Sequence, residues 1–302
     1  MKKEPKIFVI IVTYKGMRWY DKCFGSLRES TIPLQTVVVD NTPGDEDAEY
    51  IKTHFPEVHI IKTNENLGFG RANNLGMRYA LDNDCDYVFL LNQDTWLIQK
   101  ESIENLVSVA EAHPEYGLIS PMNLNSNEDE LSMIIGLKQD NIKLISDLYC
   151  NKVKDVYETN YASASSWLLP RKTLETIGGF DPIFYHYEED DNYLNRVQYH
   201  KFKIGICPKS RIVHDHHGSQ LSDERLLIRQ QQFWLVDWTN INHSFSFMNV
   251  TRYCIRKWIR FVCSGDFKRA TSIRSQWIYC AHKRSDIQRS RRENIQNKAS
   301  WL

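Results

Sequence analysis

Lys6-Ile7-Phe8-Val9-Ile10-Ile11-Val12-Thr13 is a continuous apolar run closed by a hydroxyl, and Val37-Val38-Val39-Asp40-Asn41 and Tyr87-Val88-Phe89-Leu90-Leu91-Asn92-Gln93-Asp94 repeat its form. Runs of this kind suit strands buried on both faces. Working outward, strand character is predicted at 6–13, 35–40, 58–63, 87–92 and 117–120, with helical patterns between them at 17–30, 46–54, 69–83 and 100–113. That alternation is βαβ rhythm. It predicts an α/β fold with a mainly parallel sheet flanked by helices. Ligands of such sheets bind beyond the carboxyl ends of the strands, where Thr13-Tyr14, Asp40-Asn41-Thr42, Asn64 and Asn92-Gln93-Asp94-Thr95 stand.

Beyond residue 124 the pattern weakens into an excursion to Tyr161, taken as acceptor-side. Strand character returns at 162–169, followed by a short helix at Arg171–Ile177, a turn at Gly178-Gly179-Phe180-Asp181, a helix at Asn192–His200, short strands at Lys203–Cys207 and Arg211–His214, and a helix at Ser222–Trp238. The chain divides by expectation into a catalytic domain, 1–220, and a helical region, 221–302. Charge follows that division. Residues 252–302 hold 13 Lys/Arg against 3 Asp/Glu in a chain whose 38 basic and 38 acidic side chains cancel, so an acidic body carries a basic tail with interleaved Trp258, Phe261, Trp277 and Tyr279. The tail reads either as a solvated helical hairpin or as an interfacial surface for anionic lipid.

The seven cysteines lack any short paired spacing for zinc or a disulfide framework, which favours a reducing compartment. The first apolar run is too short to cross a bilayer. A cytoplasmic protein, peripheral on the inner face of the membrane through its tail, is the expectation.

Carboxylates carry the chemistry. Asp94 at a strand end is either a turn residue or a hard-oxygen ligand for Mg²⁺ or Mn²⁺ bridging to a diphosphate, with Asn92 as a weaker neighbour. Asp40 and Asn41 form an Asx turn or contact a ligand, accepting from a nucleobase imide or a ribose hydroxyl. Asn66-Leu67-Gly68-Phe69-Gly70-Arg71 opens a helix; it is a simple cap, or a place where Gly68 lets backbone approach an anion and Arg71 adds a forked cation. Glu188-Glu189-Asp190-Asp191 is a solvated helix start or, given flanking Phe184, Tyr185, Tyr187 and Tyr193, an enclosed cluster with a general base for a sugar hydroxyl. His214-Asp215-His216-His217 offers structural histidines or metal and phosphate contacts.

In order along the chain, these segments resemble the family 2 glycosyltransferases, especially the rhamnosyltransferase-like branch. The resemblance runs from Phe8–Tyr14 through Asn66–Asn74, Asn92-Gln93-Asp94, Gly178–Asp181 and Glu189-Asp190 to Val213-His214 and Gly218-Ser219, about residues 6–220. It implies a GT-A fold, a UDP- or dTDP-linked sugar donor with dTDP-rhamnose a candidate, a divalent metal (Mn²⁺ or Mg²⁺), inversion at the anomeric carbon, and a glycan or polyprenyl-linked acceptor in cell-surface polysaccharide synthesis. By position, Thr13, Tyr14, Asp40, Asn41, Gly68, Arg71 and Asn92 would hold the nucleotide sugar, Asp94 and His214 the metal, and Asp190 would be the base, or Glu189 one place earlier. Asp94 and Asp190 should then face one crevice. A nucleotidyltransferase or sugar-nucleotide hydrolase is the rival enzyme. A nucleic-acid-binding protein is the rival of another class, and the acidic body argues against a nucleic-acid partner.

Overall fold

The computed structural model describes residues 4–131, 142–215 and 223–302. The chain opens with β1 (Ile7–Thr13), α1 (Met17–Arg28), β2 (Leu34–Asp40), α2 (Glu46–His54), β3 (His59–Lys62), α3 (Phe69–Asp82) and β4 (Tyr87–Asn92). These first four strands pair in parallel in the order β3-β2-β1-β4. Val9, Ile10, Ile11, Val38 and Phe89 are fully buried because α1 and α3 cover opposite faces of the sheet. A strand without a solvent face needs an apolar side chain at every position, hence the unbroken runs in the sequence.

The second half adds β5 (Thr95–Leu97), α4 (Ser102–Ala112), β6 (Tyr116–Leu124), α5 (Ile142–Tyr149), β7 (Tyr157–Thr159), β8 (Ser166–Pro170), α6 (Arg171–Ile177), α7 (Glu189–Tyr199) and β9 (Lys203–His214). The full order is β3-β2-β1-β4-β8-β6-β9-β5, with β7 also on β9, and β8, β5 and β7 run antiparallel to their partners. Three expectations change. The strands predicted at 203–207 and 211–214 are one strand, whose register against β6 shifts at Pro121/Met122 across the break in the pattern. β5, three residues long, carries too little pattern to be legible. The helix expected from Asn192 begins at Glu189, so the acidic residues form its first turn, where the helix dipole favours them.

The chain ends in α8 (Asp223–Thr239), α9 (Phe247–Cys263) and α10 (Phe267–Asn294). Leu235, Trp238, Cys280 and Ile287 form a small core with Phe184. Buried hydrogen bonds fix α10 to the body: Ser290 Oγ and Asn294 Nδ2 donate to Asp181 Oδ2 at 2.6 and 2.8 Å. The Gly179 amide donates to Ser300 O at 2.8 Å. Gly178, at φ +84°, leaves no room for a Cβ against the Ser300 backbone. Among the described residues no helix is long and apolar enough to cross a membrane.

Candidate active site

The strand ends open into a cleft of about 510 Å³ bordered by Tyr14, Asn41, Gly68, Asn92, Asp94 and Tyr187 among others. Five of the eleven expected site residues line it directly: Tyr14, Asn41, Gly68, Asn92 and Asp94. Its floor is braced. The Tyr14 amide donates to Gln93 Oε1 at 2.9 Å and Gln93 Nε2 returns a bond to Tyr14 O at 3.1 Å, locking the ends of β1 and β4 together.

Thr13 and Asp40 lie beneath this surface, both fully buried. Asp40 Oδ1 accepts from Thr13 Oγ1 at 3.1 Å and from the Thr42 amide at 3.0 Å, whereas Oδ2 has no hydrogen-bond partner among the described residues. Leaving a buried carboxylate oxygen unpaired costs stability, about 1–3 kcal/mol or more for a charged group. Asn41 is spent internally, giving its Nδ2 to Gly68 O at 3.3 Å and accepting from Thr63 Oγ1 at 3.2 Å.

Asp94 and His214 meet at the edge of the cleft. β5 pairs with β9 so that Thr95 opposes His214, and the Asp215 amide donates to Asp94 O at 2.9 Å. That pairing sets Asp94 Oδ1 3.5 Å from His214 Nε2. Trp19 Nε1 donates to Asp215 Oδ2 at 2.9 Å, which holds the end of β9 against α1. Among the described residues no three His, Cys, Asp or Glu side chains group as an all-protein metal cage. A carboxylate and an imidazole side by side fit a cation that takes its remaining ligands from a bound diphosphate and water. His216, His217 and the Gly218-Ser219 pair lie outside the described residues.

The glycine segment departs from expectation. Gly68, at φ +80°, has no space for a Cβ because the Tyr185 carbonyl presses on it, and its amide donates to Asn66 Oδ1 at 2.9 Å. A Cβ on Gly70 would meet Phe180 Cβ at 2.9 Å. Both glycines thus admit protein. Asn74 explains the rest of the motif: its Nδ2 donates to Phe180 O at 2.8 Å and its Oδ1 accepts from the Phe180 amide at 2.7 Å, clamping α3 to the 178–181 turn. Arg71 is placed away from the cleft, with Nη2 donating to Pro182 O at 3.1 Å, and it borders a separate hollow with Lys283 and Arg289. The carbonyl within its reach belongs to the 182 loop, so the expected grip on phosphate is not what this geometry provides.

Arg196, fully buried in α7, donates to Gly179 O at 2.6 Å and to Ile177 O. It supports the same turn from below. Tyr187 and Glu188, which lead into α7, both sit at positive φ, +70° and +67°. Two such non-glycine residues in succession store about 1–3 kcal/mol each, a cost that persists where surrounding structure aims a functional segment. Tyr187 lines the cleft, and the next turn presents the carboxylates.

Those carboxylates are sorted by environment. Glu189 is buried beside Gly70, its Oε2 unpartnered among the described residues, and burial pushes its pKa up to about 8. Burial, with the Asp191 charge adding to it, raises Asp190 to about 6. Burial also raises Glu188, whose carboxylate lies 3.8 Å from the Arg229 guanidinium. Asp190 is therefore the acid of the two that gives up its proton at the lower pH, and Glu189 the one that holds its proton longer. Burial, with the charges of Asp190 and its neighbours adding to it, raises the pKa of Tyr161, which places the excursion's end beside the cluster. Asp190 is not among the residues lining the cleft itself; it stands on the helical turn that Tyr187 feeds.

Sequence reasoning missed His186, Arg225 and Ile228, which also line the cleft. Desolvation against the cleft wall, with the Arg225 charge adding to it, lowers the His186 pKa although the side chain keeps an exposed edge. No local pattern marks these residues; only the packing of α8 over the strand ends brings Arg225 there.

A cleft at the carboxyl edge of an open, mainly parallel sheet, with charge stored at its rim, is where α/β proteins take phosphorylated ligands. The sequence profile of Glycosyl transferase family 2 matches residues 8–175, more than half the chain, and the protein belongs to that family. It is similar to the low-salt glycan biosynthesis hexosyltransferase Agl10 of Haloferax volcanii, 26% identical over 211 residues, which span 68% of this chain and 66% of the relative. The dTDP-rhamnosyl transferase RfbF of Shigella flexneri is 22% identical over 216 residues, 70% of this chain and 69% of its own. The chain thus spans about two thirds of each relative. A mannosyltransferase from Pyrobaculum calidifontis, in complex with GDP-Man and Mn²⁺, superposes with a TM-score of 0.53 at 17% identity, over 83% of this chain and 65% of that one. The fold is GT-A.

Proposed function

We propose that the protein is an inverting, metal-assisted glycosyltransferase that moves a sugar from a UDP- or dTDP-linked donor, dTDP-rhamnose foremost, to a hydroxyl of a glycan or lipid-linked acceptor in polysaccharide synthesis at the cell surface. The observation that carries this reading is the Asp94–His214 pair at the edge of the cleft, with Asp190 and Glu189 on the first turn of the adjoining helix. The name of RfbF, a dTDP-rhamnosyl transferase, supports the donor class, and that of Agl10, a glycan biosynthesis hexosyltransferase, supports a glycan product.

The unpaired Asp40 oxygen, backed by Thr13, would accept from the nucleobase imide or a ribose hydroxyl. Tyr14 and Asn92 would border the nucleotide sugar. Asp94 and His214 would hold Mn²⁺ or Mg²⁺, which when bound supplies positive charge to the departing diphosphate. Arg225 adds a second cation to the same wall. Asp190 takes the proton of the acceptor hydroxyl as its oxygen attacks C1 from the face opposite the leaving group. Glu189, which holds its proton longer, leaves Asp190 as the acceptor of the two. In this reading residues 1–220 are the catalytic unit and 221–302 an appended helical region working at the inner face of the cytoplasmic membrane.

A screen of UDP-, dTDP- and GDP-sugars with Mn²⁺ or Mg²⁺ by thermal stabilisation, followed by NMR of the anomeric configuration of the product, tests the proposal. Inverted configuration is expected. Retention, or pyrophosphate release from a nucleoside triphosphate in place of sugar transfer, would overturn it.

A further inference from the structure

We propose that the outer face of α9 is a docking surface for an anionic lipid membrane. α9 packs inward through Val250 and Cys254, and Trp277 Nε1 of α10 donates to Thr251 Oγ1 at 3.1 Å. The exposed side is divided lengthwise, cationic along its outermost line and apolar along one flank. Met248, Ile255 and Ile259 lie one and two turns apart on one stripe and are 60, 53 and 50% exposed, with Trp258 beside them at 43%. Soluble surfaces seldom leave three large aliphatic side chains in register at helical spacing without a partner.

Directly alongside runs a second stripe, Arg252, Arg256 and Arg260, at i, i+4 and i+8 and all exposed. Phe247–Cys263 contains no Asp or Glu, so no carboxylate on the helix offsets these charges. An aliphatic stripe flanked by an arginine stripe matches the boundary between acyl chains and anionic headgroups, where the apolar side chains enter and the guanidinium groups stay at phosphate level. Phe267, at the turn into α10, is also exposed. Charge complementarity therefore selects an anionic lipid surface over a neutral one. α10 is tied to the body at Ser290 and runs about 35 Å from there to Phe267 at 1.5 Å per residue, so the surface is rigidly connected to the cleft-bearing body.

This inference rests on the helix surface alone and stands whether or not the sugar-transfer reading does. Flotation of the full chain with vesicles of equal phosphatidylglycerol and phosphatidylcholine, and with phosphatidylcholine alone, tests it. Binding only to the anionic vesicles, weakening with added salt, is expected. The triple variant Arg252→Gln, Arg256→Gln, Arg260→Gln should lose about 100-fold in vesicle affinity. Ile255→Ser with Ile259→Ser should also lose binding, while both variants keep the circular dichroism and nucleotide-sugar affinity of the parent. Equal binding to neutral vesicles, no vesicle binding, undiminished binding of the triple variant, or binding to a single-stranded oligonucleotide in preference to vesicles would each overturn the proposal.

Discussion

The cleft end of the sheet and the α9–α10 hairpin break the ordinary partition of polar and apolar groups in opposite directions. At the cleft, Asp40 and Glu189 are buried with an oxygen unpaired among the described residues. On the hairpin, Met248, Ile255 and Ile259 are left in water. Each arrangement costs stability in the isolated chain, and under the two proposals above a partner of matching chemistry would relieve it: a polar ligand in one case, an apolar phase in the other. The lesson is that irregular burial, more than composition, locates where the molecule meets something else.

The contrast breaks first at Asp190. Asp190→Asn should lower the turnover of sugar transfer by about 10²–10⁴-fold while calorimetry shows donor binding retained. Near-normal turnover would remove the cleft from the comparison. Asp94→Ala should weaken metal-dependent donor binding by at least tenfold, since a bridging cation supplies several kcal/mol, and should leave metal-independent nucleotide binding little changed in the same titration.

Glu189→Gln sharpens the distinction between the two neighbouring acids. Burial raises Glu189 from 4.5 to about 8, so the folded state holds its proton more tightly than the unfolded chain. The stability this proton confers is complete below pH 4.5 and declines as pH rises toward 8. The melting temperature of Glu189→Gln should therefore rise relative to the parent across that interval and level off above it, with transfer largely preserved. Activity of the parent should fall as pH drops through about 6, where Asp190 takes up its proton. Gly68→Ala, forcing a side chain onto a positive φ against the Tyr185 carbonyl, should cost about 1–3 kcal/mol and lower the melting temperature measurably. The smallest effect belongs to the hairpin surface: Ile259→Ser should shift unfolding in denaturant by less than about 0.5 kcal/mol, whereas Leu235→Ala in the small core beneath should cost about 2–5 kcal/mol.

Much of the first 120 residues was legible because strands sheathed by helices on both sides must be apolar throughout, and their first polar residue then announces the sheet edge. Asp94 and His214 were each singled out from sequence as candidate ligands. Their contact was not, because it depends on β5, three residues whose pairing with β9 leaves no periodic trace. Arg71 shows the opposite case: a cation in a suitable motif was expected at phosphate, and the structure sets it on the Pro182 carbonyl beside a separate hollow.

From composition and order alone came the βαβ half, the family resemblance, the acidic body with its basic tail, and a short list of carboxylates. These depend on local pattern, which each segment carries within itself. How the neighbouring acids differ in burial, why Gly68 must be glycine, and where Arg225 stands depend on burial and on close approach between segments over a hundred residues apart. Desolvation and contact are properties of the assembled molecule, and no single stretch of chain encodes them.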